Sequence, residues 1–214
     1  LTISLQHFHN IIIKNYTLIA PVTKYLKDVK KENINLLDLA CGKGGDIPKW
    51  IENNINNVLG IDIVQNNIYD KIDGAYVRLQ NFKKKYDNVP NIEFLVGDSS
   101  KNIKNGIAFS DRKKWDNLWN KDPSIHYKKD KFHIISIMFA LHYMFRNKTD
   151  VTNLVDNINE NLRNGGYFIG ACLDGKSIFN MLKDKEQNEE VIGYRNGKTI
   201  WKIKKLYNRN TFPD

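Results

Sequence analysis

Two cysteines, Cys41 and Cys172, are all that 214 residues contain. Two thiols make neither a disulfide scaffold nor a four-ligand zinc site, so no metal is expected. Sparse cysteine fits a reducing, intracellular compartment. No run reaches the roughly 18 apolar residues of a membrane span, and the longest candidate, Ile134 to Phe145, is interrupted by His142. No membrane partner is therefore expected. A secretory signal and an internal repeat of fixed period are also absent. Acids are scarce: 24 Asp and Glu against 33 Lys and Arg leave a net charge of +9. That balance excludes a strongly acidic fold and suits a polyanionic partner.

What is present is an ordinary globular composition, 41% hydrophobic and 27% charged, which excludes a disordered tail or a fibre. The length fits one large domain or a tight pair. The chain opens Leu1-Thr2-Ile3 and closes Thr211-Phe212-Pro213-Asp214, the pattern expected of a piece of a longer protein.

Apolar spacing predicts a helix over 5–28. Buried strands follow at 35–40, 58–63, 92–96, 132–138 and 167–172, with helices between them at about 46–54, 65–86 and 150–163. Strands alternating with helices predict an α/β fold, with right-handed crossovers and a mostly parallel sheet covered by helices on both faces. Two segments break the rhythm. Residues 105–131 are polar but hold Trp115 and Trp119, and are expected to form an insertion or an ordered surface loop. Asn196-Gly197 between alternating residues predicts an antiparallel hairpin at about 191–206.

The strongest local feature is Leu36-Leu37-Asp38-Leu39-Ala40-Cys41-Gly42-Lys43-Gly44-Gly45-Asp46, joining the first strand to a helix. Glycines there allow a sharp turn and close approach of a ligand to the main chain. A dinucleotide fingerprint requires glycine where Ile47 stands, and Asp46 would meet a pyrophosphate with like charge. Asp62 follows Gly42 by twenty positions, the spacing at which a carboxylate reaches ribose hydroxyls. Asp98 ends the third strand. Carboxylates at the carboxyl ends of consecutive parallel strands suit a nucleoside with a cationic tail, and S-adenosylmethionine is such a ligand. A rival motif, Gly170-Ala171-Cys172-Leu173-Asp174-Gly175-Lys176-Ser177, fits the Walker A pattern. Asp174 would place a carboxylate in a phosphate loop, so a turn at Asp174-Gly175 followed by a helix is the preferred reading.

The segments Asp38 to Asp46, Gly97-Asp98-Ser99-Ser100, Phe139-Ala140-Leu141-His142-Tyr143 and Gly165 to Gly170 resemble those of mRNA cap guanine-N7 methyltransferases, in that family's order, over about 9–205. Leu173-Asp174-Gly175 is closest to the capping enzymes of poxviruses and other large DNA viruses. The resemblance implies a Rossmann-like class I S-adenosylmethionine-dependent methyltransferase. It divides the chain into a helical arm at 1–34 that completes the site and a methyltransferase domain at 35–214. Methyl transfer from S-adenosylmethionine to N7 of the guanine cap is implied, with no catalytic acid or base.

Donor contacts implied by the resemblance are Lys14, Ala40, Gly42, Asp46, Asp62, Asp98, Ser99, Met138 and Tyr143. Lys14 would meet the donor carboxylate, Asp46 the methionine end, Asp62 the ribose, and Asp98 with Ser99 the adenine. Asn10, Phe139, His142 and Tyr143 would line the cap pocket, Tyr143 touching both ligands. Asn10 and Lys14, four apart, would share one helix face. Ala40 replaces the usual first glycine of the loop, which its backbone tolerates if φ is negative. Met138 replaces a usual glutamine. The family continues beyond the hairpin, where it supplies a Glu and a Tyr to the guanine pocket and the last strands of the sheet, so a C-terminally truncated chain is expected.

The implied partners are the capped 5′ end of mRNA and further capping-enzyme domains or a second subunit. Arg and Lys at 112–114 and 128–131 are expected on the RNA. The implied location is the cytoplasmic virus factory for a viral protein and the nucleus for a cellular one. The alternatives are a methyltransferase of another RNA base or small molecule, and a non-catalytic donor-binding subunit.

Overall fold

The computed structural model describes residues 3–121, 131–209 and 211–212. A helical arm, α1 (residues 3–28), leads into the sheet. Its Phe8–Ile19 stretch is wound as a π-helix. There the Ala20 N–H bonds Asn15 O and the Thr17 hydroxyl bonds Ile12 O, each five residues back. The order then runs β1 (Asn35–Asp38), α2 (Ile47–Glu52), β2 (Asn57–Asp62), α3 (Gln65–Tyr69), α4 (Ala75–Lys83) and β3 (Asn91–Val96). It continues with α5 (Arg112–Asp116), β4 (Phe132–Met138), α6 (Lys148–Asn161), β5 (Leu162–Ala171), α7 (Gly175–Met181), β6 (Glu190–Arg195) and β7 (Lys198–Lys204).

Five strands form one sheet in the order β3-β2-β1-β4-β5, with every pairing parallel. The chain builds outward from β1 to β3, then returns to place β4 on the other side of β1. That reversal makes the β1–β4 junction the topological switch point, where ligands of open α/β sheets bind at the strands' carboxyl ends. All four residues of β1 and all seven of β4 are buried, as strands covered on both faces require. Side chains alternate between two cores. Leu36, Val58, Phe94 and Ile134 pack with Ile19 and Leu26 of α1, Trp50 of α2 and Leu79 of α4. Leu37, Leu59, Leu95 and Ile135 pack with Trp115, Leu118, Trp119 and Leu154 of α6. The three layers of the sequence reading are present.

Two local differences have physical causes. The helix expected over 65–86 breaks at Asp70, whose carboxylate accepts from the Ile72 and Asp73 N–H groups (2.8 and 3.1 Å) and so competes with helical bonding. Gly74 then caps α4. The described part of 105–131, expected as an insertion or surface loop, has an exposed outer side but is anchored in the core by its tryptophans. Trp115 and Trp119 sit 6.3 Å apart, nearly parallel, with Phe109 on one side and Phe132 on the other, inside one core. The expected antiparallel hairpin is present as a separate two-stranded sheet, with Asn196 and Gly197 at φ +51° and +72°. Two successive positive φ values are the turn that Asn-Gly favours.

Trp119→Ala is expected to cost about 3–5 kcal/mol, read as a shift of the denaturation midpoint. A shift below about 1 kcal/mol would mean that the segment lies outside the core.

Candidate active site

The carboxyl ends of β1, β2 and β3 carry Asp38, Asp62 and Asp98, and the glycine loop between β1 and α2 connects them. The loop turns through Gly42 (φ +54°) and Gly44 (φ +70°). A Cβ on Gly44 would lie 2.8 Å from Ile47 Cδ1, the mobile end of that side chain, so it is the positive φ that favours glycine there. Ala40 is not among the positive-φ residues, which meets the condition for alanine at that position. Asp62 holds the loop to the sheet. Its Oδ2 accepts from the Gly42 N–H at 2.8 Å, and its Oδ1 from the Val64 N–H and Asn67 Nδ2 at 2.9 Å each. Oδ2 keeps a second lone pair.

A cleft of about 420 Å³ opens beside these residues, lined by Leu39, Ala40, Asp62, Ile63, Val64, Asn67, Gly97, Asp98, Ser99, Ser100, Ala140, Tyr143, Met144 and Arg146. Ile63 and Val64 are exposed there, giving the cleft an apolar wall. Asp98 accepts from the Ser100 N–H and hydroxyl at 3.0 and 2.7 Å. The Ser99 hydroxyl donates to the Leu39 carbonyl at 2.6 Å, so it fastens β1 to the β3 turn and only the rest of the residue is left for a ligand.

Next to the cleft lies a charged cluster. Lys14 Nζ of α1 donates to both oxygens of Asp46 at 3.0 and 3.1 Å. Lys49 Nζ reaches Asp46 Oδ1 at 2.8 Å and Asn10 Oδ1 at 3.3 Å. From the arm, Lys14 thus meets Asp46 directly, and Asn10 reaches it only through Lys49. Asp38 is buried, and its Oδ1 has no hydrogen-bond partner among the described residues. Desolvation pushes its carboxyl up to about 7, with the Asp46 carboxylate adding to the rise and Lys14 opposing it.

Phe139 follows β4 at φ +60°, a strained conformation for a bulky residue, of the kind that clusters at functional sites. Its N–H donates to Ala171 O at 2.7 Å. Its ring packs on His9 at 4.8 Å, with Lys14 Nζ 5.7 Å from the ring centre. His142 and Tyr143 are exposed, rings 4.1 Å apart. Met138, at the end of β4, is buried in the core with Cys41 and Ile169 and is not among the residues that line this cleft.

Sequence reasoning missed Lys49, Asp38, His9 and Arg146. Lys49 had a usable signal, three residues after Asp46 on the same short helix. Of the basic residues expected on RNA, 128–130 lie outside the described residues. Lys114 is committed to the fold, donating to Tyr76 Oη at 2.6 Å and Phe94 O at 2.8 Å. The Walker-type segment is closed by its own acid: Asp174 caps α7, accepting from the Lys176 and Ser177 N–H groups. Among the described residues no cluster of three His, Cys, Asp or Glu could hold a metal ion, and no helix is long and apolar enough to cross a membrane.

The strand order, the glycine loop and the acids at successive strand ends define a class I S-adenosylmethionine-dependent methyltransferase fold. The chain belongs to the mRNA (guanine-N(7))-methyltransferase domain family, whose sequence profile matches residues 2–210. It is 30% identical over 196 residues to a mimivirus protein named "Probable mRNA-capping enzyme", covering 87% of this chain and 16% of that protein. It is 30% identical over 173 residues to the mRNA cap guanine-N(7) methyltransferase of Caenorhabditis elegans, covering 80% of this chain and 40% of that protein. The chain thus spans less than half the length of these relatives. A solved S-adenosylmethionine-dependent methyltransferase from Clostridium acetobutylicum aligns with TM-score 0.48 at 15% identity, over 90% of this chain and 64% of that one.

The raised Asp38 carboxyl sets a pH dependence. The folded chain keeps a proton that the unfolded chain releases between about pH 4 and pH 7, so Asp38 removes stability as pH rises through that window, by at most about 1.4 kcal/mol per pH unit. In denaturant titrations from about pH 5 to pH 8, Asp38→Asn is expected to lose this decline and to be the more stable protein at the upper end. A variant with an unchanged pH slope contradicts a protonated Asp38.

Proposed function

We propose that this chain carries the methyltransferase activity of an mRNA-capping protein, moving a methyl group from S-adenosylmethionine to N7 of the cap guanine. The observation that carries the reading is the juxtaposition of an acid-lined nucleoside cleft with the Asp46 cluster and the Phe139 wall. The donor fits the residues present. The cleft's apolar wall and Asp98 suit adenine, the spare lone pair of Asp62 Oδ2 suits a ribose hydroxyl, and the Asp46 carboxylate suits a cationic amino-acid end. Lys14 stands where it can meet the donor's carboxylate.

When bound, S-adenosylmethionine supplies a methyl group activated by its sulfonium. Guanine N7 carries a lone pair and no proton, so no residue has to act as a base and the chemistry calls for no metal. The chain's contribution is orientation, which can supply roughly 7–11 kcal/mol. Phe139, His142 and Tyr143 line the guanine side, and Asn10 reaches it from the arm. The strained Phe139 backbone fixes its ring where packing on His9 already holds one face. The net charge of +9 attracts the triphosphate bridge and the RNA 5′ end. Further capping-enzyme domains or a second subunit complete the guanine pocket.

Incubation with methyl-labelled donor and GpppG-capped RNA, followed by nuclease digestion, is expected to release label as m7GpppG. Label on another base, or none on the cap while donor is bound, overturns the proposal. Phe139→Ala is expected to weaken cap binding by roughly 5- to 150-fold, the worth of one stacked base, and to leave donor affinity within about twofold. An unchanged cap affinity in fluorescence titration removes Phe139 from the pocket.

A further inference from the structure

Arg146 lines the donor cleft, yet nothing in the sequence motifs assigns it a role. Strands β2 and β4 flank β1, so the cleft above β1 has two walls. Ile63 and Val64 follow β2, while Tyr143, Met144 and Arg146 follow β4. Arg146 ends the 3-10 turn Leu141–Phe145. Side chains three apart eclipse on such a turn, which puts Arg146 on the same side as Tyr143.

The guanidinium is held in place. Its Nε donates to Asp150 Oδ2 at 2.9 Å and its Nη2 to Ser100 Oγ at 3.3 Å. Asp150 Oδ2 also accepts from Asn147 Nδ2 at 3.1 Å, and Ser100 Oγ donates to Asp98 Oδ1 at 2.7 Å. The Arg146 side chain is nevertheless 60% exposed, and an ion pair at that exposure adds little to stability. All N–H groups of a guanidinium lie in its plane. The two bonds therefore spend the edge of the group and leave its face. A planar cation of this kind stacks on aromatic rings, and the flat ring that belongs in this cleft is the donor's base.

Resting on the reading of this cleft as the donor's nucleoside site, we propose that Arg146 is an adenine-binding residue. Its guanidinium lies on the base from the β4 wall, and Ile63 and Val64 close on it from the β2 wall. Because Asp150 and Ser100 already hold the side chain, it has little rotamer freedom left to lose on binding. The contact recognises the base alone, since the amino-acid end belongs with Lys14 and Asp46.

The test is calorimetry with S-adenosylhomocysteine and with 5′-methylthioadenosine, which keeps the adenine nucleoside and lacks the amino-acid end. Arg146→Ala is expected to weaken both by the same factor, about 3- to 30-fold, the range for a cation over a ring. Arg146→Tyr, which offers a flat face without the bonds to Asp150 and Ser100, is expected to return to within about threefold of wild type, since aromatic rings also stack on bases. Thermal melts check that the variants fold, and Arg146→Met replaces the alanine variant if it does not. Unchanged affinity for S-adenosylhomocysteine in Arg146→Ala overturns the proposal. So does a loss seen with S-adenosylhomocysteine but not with methylthioadenosine, because Arg146 then serves the amino-acid end. A tyrosine variant as weak as the alanine one also overturns it, by assigning the loss to the bonds toward Ser100 and Asp98. A wild-type chain that binds S-adenosylhomocysteine but not methylthioadenosine gains too little from the base and overturns it as well. A wild-type chain that binds neither ligand defeats the donor reading of the cleft instead, and this proposal with it.

Discussion

Asp46 stands where the glycine loop enters α2, with Lys14 of the arm on both its oxygens and Lys49 of its own helix on one. This ion cluster determines what kind of site the fold can have. A parallel sheet with a glycine loop gives a nucleoside cleft at the switch point, as open α/β sheets do. The second half of the site, formed by Asn10, His9 and Phe139, exists only because the arm lies across the loop. Lys14 holds it there, with its Nζ 3.0 Å from Asp46 and 5.7 Å from the Phe139 ring centre.

The remaining stabilisation is arranged around that cluster, with the fold's local compromises close by. Phe139 is held at φ +60°, a conformation that costs of order 1–3 kcal/mol and persists only where the surroundings enforce it. Asp38 keeps a buried oxygen with no hydrogen-bond partner among the described residues. Both lie at the carboxyl ends of β4 and β1, the two strands that flank the switch point. Elsewhere the rules are kept: β1 and β4 are buried along their whole length and the two cores alternate residue by residue. Proteins tend to violate local rules at functional sites and keep them elsewhere.

Much of this was legible from residue order. The five strands, the parallel sheet and the Asn196-Gly197 turn followed from periodicity and turn chemistry, because those signals are local. The acids at 46, 62 and 98 were legible for the same reason, since spacing along a βα unit fixes where a carboxylate ends up. What escaped depends on contacts between distant segments. Trp115 and Trp119 sit in a polar stretch, and only the fold shows that they face β4. The Ser99 hydroxyl and the Lys114 ammonium look available in sequence but are spent on Leu39 and Phe94 carbonyls. Met138 points into a core rather than the cleft because it falls on the opposite face of β4 from Ile137. The pairing of Lys49 with Asp46 was within reach of local spacing, but its contact with Asn10, 39 positions away in the chain, was not.

The net charge of +9 and the buried acids belong to one arrangement. Basic residues dominate overall, whereas Asp38, Asp62 and Asp98 are gathered at the carboxyl ends of the strands, where the proposed cationic donor would meet them. A crystal structure of the protein with S-adenosylhomocysteine and a cap dinucleotide tests this account most directly. The account predicts adenine in the cleft against Ile63 and Asp98, ribose on Asp62, the amino-acid end between Lys14 and Asp46, and guanine against Phe139. Product bound outside that cleft, or guanine seated away from the arm, would contradict it.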